Sequence, residues 1–202
     1  VSTTPAQVVL LCGPSGSGKT HIAAASGLPV FRLDDFYKDG DDPTLPYSPE
    51  LGIVDWDDVD AWHAERAVAA LVTLCHEGSV QVPSYDIGQS RAVGSSVFSR
   101  DGAPAVVAEG VFAAEIIDRC RERGILADAV VLHRAPWKNF VRRLVRDLAE
   151  RRKPPATLWR RGRLLMHDEP AMVAAAEEQG CRRVDARGLA ALLSRLANRV
   201  DA

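Results

Sequence analysis

The sequence predicts a doubly wound α/β fold, a parallel sheet with helices on both faces. Two observations predict it. Short runs rich in Val and Leu recur along the chain, and helix-period sequence follows them. The first run leads straight into a glycine-rich loop at 13–20 and then into a helix-compatible stretch at 21–25.

The strands come in order. Residues 7–12 (QVVLLC), 105–108 (AVVA) and 129–133 (AVVLH) are too continuously apolar for strands with one wet face. Shorter candidates are 29–33 (PVFRL) and 181–184 (CRRV). The helices show the 3.6-residue period. Ala64, Val68, Leu71, Val72 and Cys75 form one stripe, and Leu189, Leu192, Leu193, Leu196 and Val200 another. Trp137, Phe140, Val141, Leu144, Val145 and Leu148 form a third, and all three stripes are expected to face a core. Two segments break the alternation. Residues 39–53 are rich in Pro, Gly and Asp and read as a long loop. Residues 80–98 have β-like pieces around Gly88 and Gly94 and read as an inserted hairpin. Segments this long in a compact domain are usually functional.

Composition bounds the function. The chain has 202 residues, 47% of them hydrophobic, enough for one domain with a real core. We expect a single domain over 1–202, with an acceptor-side loop at 34–57, the hairpin at 79–99 and a lid at 137–155. Lys and Arg number 25 against 27 Asp and Glu, a balance that gives nucleic-acid binding no support. No apolar stretch has the length of a membrane span, and the N-terminus lacks the pattern of a secretory signal. Cys12, Cys75, Cys120 and Cys181 form no CxxC pair and lie in apolar runs, so they read as buried hydrophobes of a reduced, cytoplasmic protein.

Gly13-Pro14-Ser15-Gly16-Ser17-Gly18-Lys19-Thr20 fits GxxxxGK[ST] between a strand and a helix. Glycines at 16 and 18 let successive N–H groups point into one cavity that suits phosphate oxygens. Lys19 can reach the β- and γ-phosphates, and Thr20 can offer a hydroxyl to Mg²⁺. Nucleotide binding follows, with GTPase switch, motor ATPase and small-molecule kinase all still open.

Asp34 emerges from the carboxyl end of the second strand, where such folds hold ligands. It could deprotonate a hydroxyl or hold Mg²⁺, or Asp34 and Asp35 could form a solvated turn. Glu109 ends the AVVA strand as a lone acid, fit for a metal site or for the N-terminus of a following helix. The segment from Pro136 concentrates Arg142, Arg143 and Arg146, then Arg151, Arg152 and Lys153 before Pro154-Pro155. Phosphoryl transfer needs cations of this kind, and a lid that carries them also excludes water.

These motifs resemble the uridine kinase family of P-loop kinases, a group that includes phosphoribulokinase and pantothenate kinase. The resemblance rests on GPSGSGKT at 13–20, DDFYKD at 34–39, DWDDVDAWH at 55–63, PSYDIGQSR at 83–91, AEG at 108–110 and RRLVRDLAERRKPP at 142–155. It implies ATP as donor, held by Gly13, Ser15, Gly16, Ser17, Gly18, Lys19 and Thr20, with Arg146 and Arg151 closing from the lid. It implies Asp34 as catalytic base, assisted by Lys19 and Arg146, and Mg²⁺ near Thr20, Asp34 and Glu109. It implies Asp57 on ribose hydroxyls, Tyr85 on a base, and Gln89, Arg143 and Lys153 on the acceptor side. Gln89 stands where the family usually has a histidine, and PSYDIGQSR is one residue shorter than the family's usual segment. Family members are often oligomeric, which implies a homo-oligomer. The expected activity is transfer of the γ-phosphoryl group of ATP to a primary hydroxyl, first of all a nucleoside such as uridine or cytidine. Pantothenate, a sugar acid or a sugar phosphate is the alternative acceptor, and a nucleotide-dependent switch the alternative class. No NKxD is present.

Overall fold

The structure is a computed structural model that describes residues 5–48, 53–149 and 155–198. In chain order it contains β1 (Gln7–Cys12), α1 (Lys19–Ala25), β2 (Val30–Arg32), β3 (Tyr47–Ser48), β4 (Ile53–Val54), α2 (Ala64–Glu77), β5 (Ser79–Asp86) and β6 (Arg91–Ser99). Then come β7 (Ala105–Glu109), α3 (Ile117–Glu122), β8 (Leu126–Leu132), α4 (Pro136–Ala149), α5 (Pro155–Glu178), β9 (Arg182–Val184) and α6 (Ala186–Ala197).

Five strands form one sheet in the order β2-β7-β1-β8-β9, every neighbouring pair parallel. β1 lies in the centre and is buried on both faces. Val8, Leu10 and Cys12 face a core with Leu71 and Leu74 of α2 and Ile117 of α3. Val9 and Leu11 face Ala23 of α1 and Leu189 and Leu193 of α6. This two-sided burial is why β1 reads as an unbroken apolar run, and each such side chain contributes about 1.5–3 kcal/mol. The doubly wound parallel sheet is as the sequence predicts.

The parallel register sets Leu11 beside Glu109, and Arg32 beside Glu109 on the other side. The loops after β1, β2 and β7 therefore leave the sheet at one edge, together with the loop after β8. β5 and β6 form the inserted antiparallel hairpin, with a register shift between Ser84 and Tyr85. The segment expected to be a plain loop at 39–53 carries the small β3–β4 pair, with Tyr47 opposite Val54. The four cysteines are buried free thiols. No helix among the described residues is long and apolar enough to cross a membrane.

One expectation fails. Most of the apolar stripe of α4 does not face a core: Phe140 is buried, but Trp137, Val141, Val145 and Leu148 are exposed. The helix instead buries Asn139, Phe140 and Arg143, because its partners are the glycine-rich loop and α5.

Candidate active site

The loop after β1 wraps under α4. Gly16 has φ +82°, and a Cβ there would lie 2.8 Å from the Asn139 carbonyl oxygen, so a larger residue would be both strained and blocked. Lys19 Nζ donates to the carbonyls of Gly13 (2.7 Å) and Pro14 (3.2 Å), which draws the loop into a ring around its own lysine. Ser17 is fully buried, with an Oγ that has no partner among the described residues. Ser15 offers its carbonyl to Arg143 Nη1 at 3.3 Å.

Thr20 at the start of α1, Glu109 at the end of β7 and Asp34 after β2 lie beside this loop. The Thr20 hydroxyl donates to Glu109 Oε2 at 3.1 Å. Glu109 is nearly buried at the end of β7. Asp34 sits in a 3₁₀ turn, Leu33–Phe36, after β2, and its carboxylate accepts the Val111 N–H. Gly110 makes this approach feasible, since a Cβ there would lie 2.7 Å from Leu33 Cβ and 3.0 Å from Asp34 Oδ1. Burial pushes the Asp34 carboxyl above the usual carboxylate range, and the Lys19 charge and the Val111 N–H only partly oppose it. Asp35 turns the other way, to Arg32 at 3.6 Å and the Tyr85 backbone N–H. The two adjacent acids thus have different surroundings, and only Asp34 feels the loop lysine.

Tyr37 is the centre of an aromatic cluster next to this loop. Its ring packs against Trp56, Tyr85 and Phe112 at centroid distances of 5.9, 6.0 and 5.8 Å. Burial first, then the charges of Asp34 and Asp57 and the neighbouring Tyr85 phenol, push the Tyr37 phenol well up. Tyr85 packs on this ring, and the charges of Asp34 and Asp57, from two further segments, reach its phenol. Tyr85 donates its hydroxyl to the Lys38 carbonyl at 2.9 Å, and the Ala92 N–H reaches Asp39 Oδ1 at 2.7 Å, which pins the hairpin to the loop after β2. Gln89 is placed differently. It lies exposed in the hairpin turn, with Nε2 donating to Asp86 Oδ2 at 2.7 Å. A cavity of about 350 Å³ lined by Asp35, Tyr37, Asp39, His63 and Arg66 includes no residue of the glycine-rich loop.

Arg143, expected on the acceptor side, lies inside the α4–α5 interface. Its Nη2 donates to Glu169 Oε1 at 3.2 Å, and Asn139 Nδ2 donates to Glu169 Oε2 at 2.9 Å. Glu169 lies in α5, far beyond the recognisable motifs, and nothing in the local sequence of Arg143 announces its partner. Arg146 lies within α4, but its side chain is outside the described set, and Arg151 and Lys153 lie outside the described residues. Trp159 is half exposed and packs edge-on against Phe140 at 5.0 Å. Sequence reasoning missed Tyr37, Trp56 and Phe112. The first two lie inside DDFYKD and DWDDVDAWH, and their aromatic character was the available signal.

The loop's backbone cradle, the lysine and the all-oxygen set of Thr20, Asp34 and Glu109 fit a nucleoside triphosphate with Mg²⁺. Mg²⁺ prefers few protein oxygens and keeps waters and phosphates for the rest.

No family model matches the chain, and no curated protein matches it in sequence. Among solved structures it is similar to a "putative fructose transport system kinase" from Silicibacter sp. TM1040, at 19% identity and TM-score 0.59, over 91% of this chain and 90% of that one. It is also similar to phosphoribulokinase from Rhodobacter spheroides, at 12% identity and TM-score 0.53, over 91% of this chain and 71% of that one. At these identities the likeness is one of fold, a parallel α/β sheet with helices on both faces.

Proposed function

We propose that the chain is an ATP-dependent kinase that transfers the γ-phosphoryl group to a hydroxyl of a small molecule. The observation that carries this reading is the convergence of Lys19, Thr20, Asp34 and Glu109 at one edge of the sheet, with Asp34 raised in pKa beside Tyr37. A GTPase switch has no need of a buried base next to an aromatic pocket. A carboxylate whose pKa is raised toward the working pH is a better proton acceptor for an attacking alcohol. In this reading the acceptor oxygen bonds to the γ-phosphorus, the bond to the β-bridging oxygen breaks, and the hydroxyl proton goes to Asp34. Lys19 holds the phosphates against that charge movement. Mg²⁺, held near Thr20 and Glu109, would supply further neutralisation of phosphate charge. Arg146 and Arg151 are proposed as lid cations on the phosphates, and Lys153 as a cation for the acceptor.

For the acceptor we keep a nucleoside as the first reading. The rings of Tyr37, Trp56, Tyr85 and Phe112 offer a place for a base, and Asp57 offers an acceptor for ribose hydroxyls. A sugar or sugar phosphate is the second reading. It is favoured by Gln89, whose amide is already engaged by Asp86 rather than available to read a base edge. The test is ADP release by purified protein with uridine, cytidine, adenosine, pantothenate, fructose and ribulose 5-phosphate, alongside Lys19→Ala. The kinase reading expects acceptor-dependent ADP release that falls by about 10²-fold or more in Lys19→Ala. Hydrolysis that no acceptor accelerates would overturn it. Activity confined to the sugars would overturn the nucleoside.

A further inference from the structure

A cationic pair lies beside the loop, one member of it, Arg134, outside every motif the sequence shows. Arg134 follows β8 and Arg142 lies on α4, so their side chains come from different elements. They meet at Gly18. The point where a side chain on Gly18 would begin is 3.2 Å from Arg142 Nη1 and 3.9 Å from Arg134 Nη2, and no other heavy atom beyond the chain neighbours and α1's own backbone lies within 4 Å of it. Among the described residues neither arginine has a carboxylate partner, and Arg134 Nε is buried with no hydrogen bond at all. Contrast Arg143, one position along, which is neutralised by Glu169. Two like charges held over a backbone turn cost free energy in the empty protein. Burial and the Arg142 charge do hold the Arg134 guanidinium below its ordinary value. Such an arrangement is stable to selection when an anion completes it, and guanidinium forks match phosphate oxygens in pairs.

We infer that Arg134 and Arg142 together bind the phosphate chain of the nucleotide where it crosses Gly18, while Arg143 is withdrawn into the protein as a strap between α4, α5 and Ser15. This rests on the proposal that residues 13–20 hold a nucleoside triphosphate; it adds Arg134, which belongs to no motif, and sets Arg142, one of the cations of the segment from Pro136, at Gly18. The bare phosphate chain should suffice as ligand, because both groups are cations that read charge rather than a base.

The experiment is equilibrium binding of ATP and of inorganic tripolyphosphate to the purified full chain, with Arg134→Gln, Arg142→Gln and Arg121→Gln as variants. Arg121 is exposed, pairs with Asp118 on α3, and serves as the charge-matched control. Expected is a loss of about tenfold or more in affinity for both ligands in Arg134→Gln and Arg142→Gln, and none in Arg121→Gln. The unliganded Tm of Arg134→Gln should be unchanged or higher, since a repulsion is removed. A merely structural arginine would lower it. Unchanged ATP affinity in both variants, with affinity lost in Lys19→Ala, overturns the pair and leaves the nucleotide loop standing. An equal loss in the Arg121 control also overturns it. No ATP binding by the native protein overturns the pair and the nucleotide reading together, and so is distinct from failure of the pair alone. A lowered Tm with unchanged tripolyphosphate binding assigns Arg134 to structure and overturns its part.

Discussion

Helices α2 and α4 have the same length, 14 residues each, and each carries a regular apolar stripe in sequence. They are used in opposite ways. α2 turns Ala67, Val68, Leu71, Leu74 and Cys75 into the sheet and leaves its polar side wet. α4 leaves Trp137, Val141, Val145 and Leu148 exposed and buries an amide and a guanidinium. α2 is held by dispersion and apolar burial, which ask only for volume and shape. α4 is held by Asn139 and Arg143 on a single carboxylate, Glu169, and by Arg143 on the Ser15 carbonyl. A packing helix can sit anywhere on the sheet. A helix that presses polar groups onto the glycine-rich loop is placed by the site.

The contrast predicts different sensitivities. Glu169→Ala strands the buried guanidinium of Arg143, whose side chain is only 7% exposed, and should be the most damaging change. The expected loss is about 3–5 kcal/mol, read by urea unfolding. Replacing Arg143 and Glu169 together by Leu should recover most of it, since the penalty comes from the unpaired charge rather than the missing bridge. A cost below about 0.5 kcal/mol for Glu169→Ala would show that the ion pair does not hold α4.

Leu71→Ala in α2 should cost about 2–5 kcal/mol through lost burial and a cavity. Val145→Ala, an apolar residue on the same kind of stripe in α4, should cost within about 0.5 kcal/mol, because water already covers it. Equal costs would mean that the α4 stripe is covered in solution.

The smallest effect concerns the charge between these regions. Asp34 has a folded pKa above its ordinary value because of burial. Below the ordinary carboxylate value both folded and unfolded states are protonated, and no penalty exists. As pH rises past it the unfolded state releases its proton first, so native stability falls until Asp34 itself has ionised. Asp34→Asn does not ionise and escapes that fall. In buffer free of divalent ions its Tm should therefore exceed that of the native protein near neutrality, and the gap should shrink toward about pH 4. A gap independent of pH would assign the difference to packing rather than to the charge.

Much of this molecule was legible before any coordinates. The central strands, the hairpin and the loop at 13–20 follow from continuous apolar runs, from alternation with helical period and from a spacing that few other uses require. Strand ends converge in any parallel sheet of this kind, so Asp34 and Glu109 could be placed at one edge from order alone. The β3–β4 pair was not legible, because strands of two residues have no period to read. An apolar stripe says that a helix has a face, but only the partner decides whether that face is covered. For α4 the partner is Glu169, from 26 residues beyond Arg143, and one carboxylate outweighs the four exposed apolar side chains of the stripe once the guanidinium is desolvated. Arg134 stands alone after a strand and belongs to no motif, so only tertiary structure could set it beside Gly18. Sequence determined the local chemistry, because backbone conformation and residue type act over a few positions. Tertiary structure decided which charges are neutralised, which face water and which remain for a ligand, because that is settled by neighbours distant in the chain.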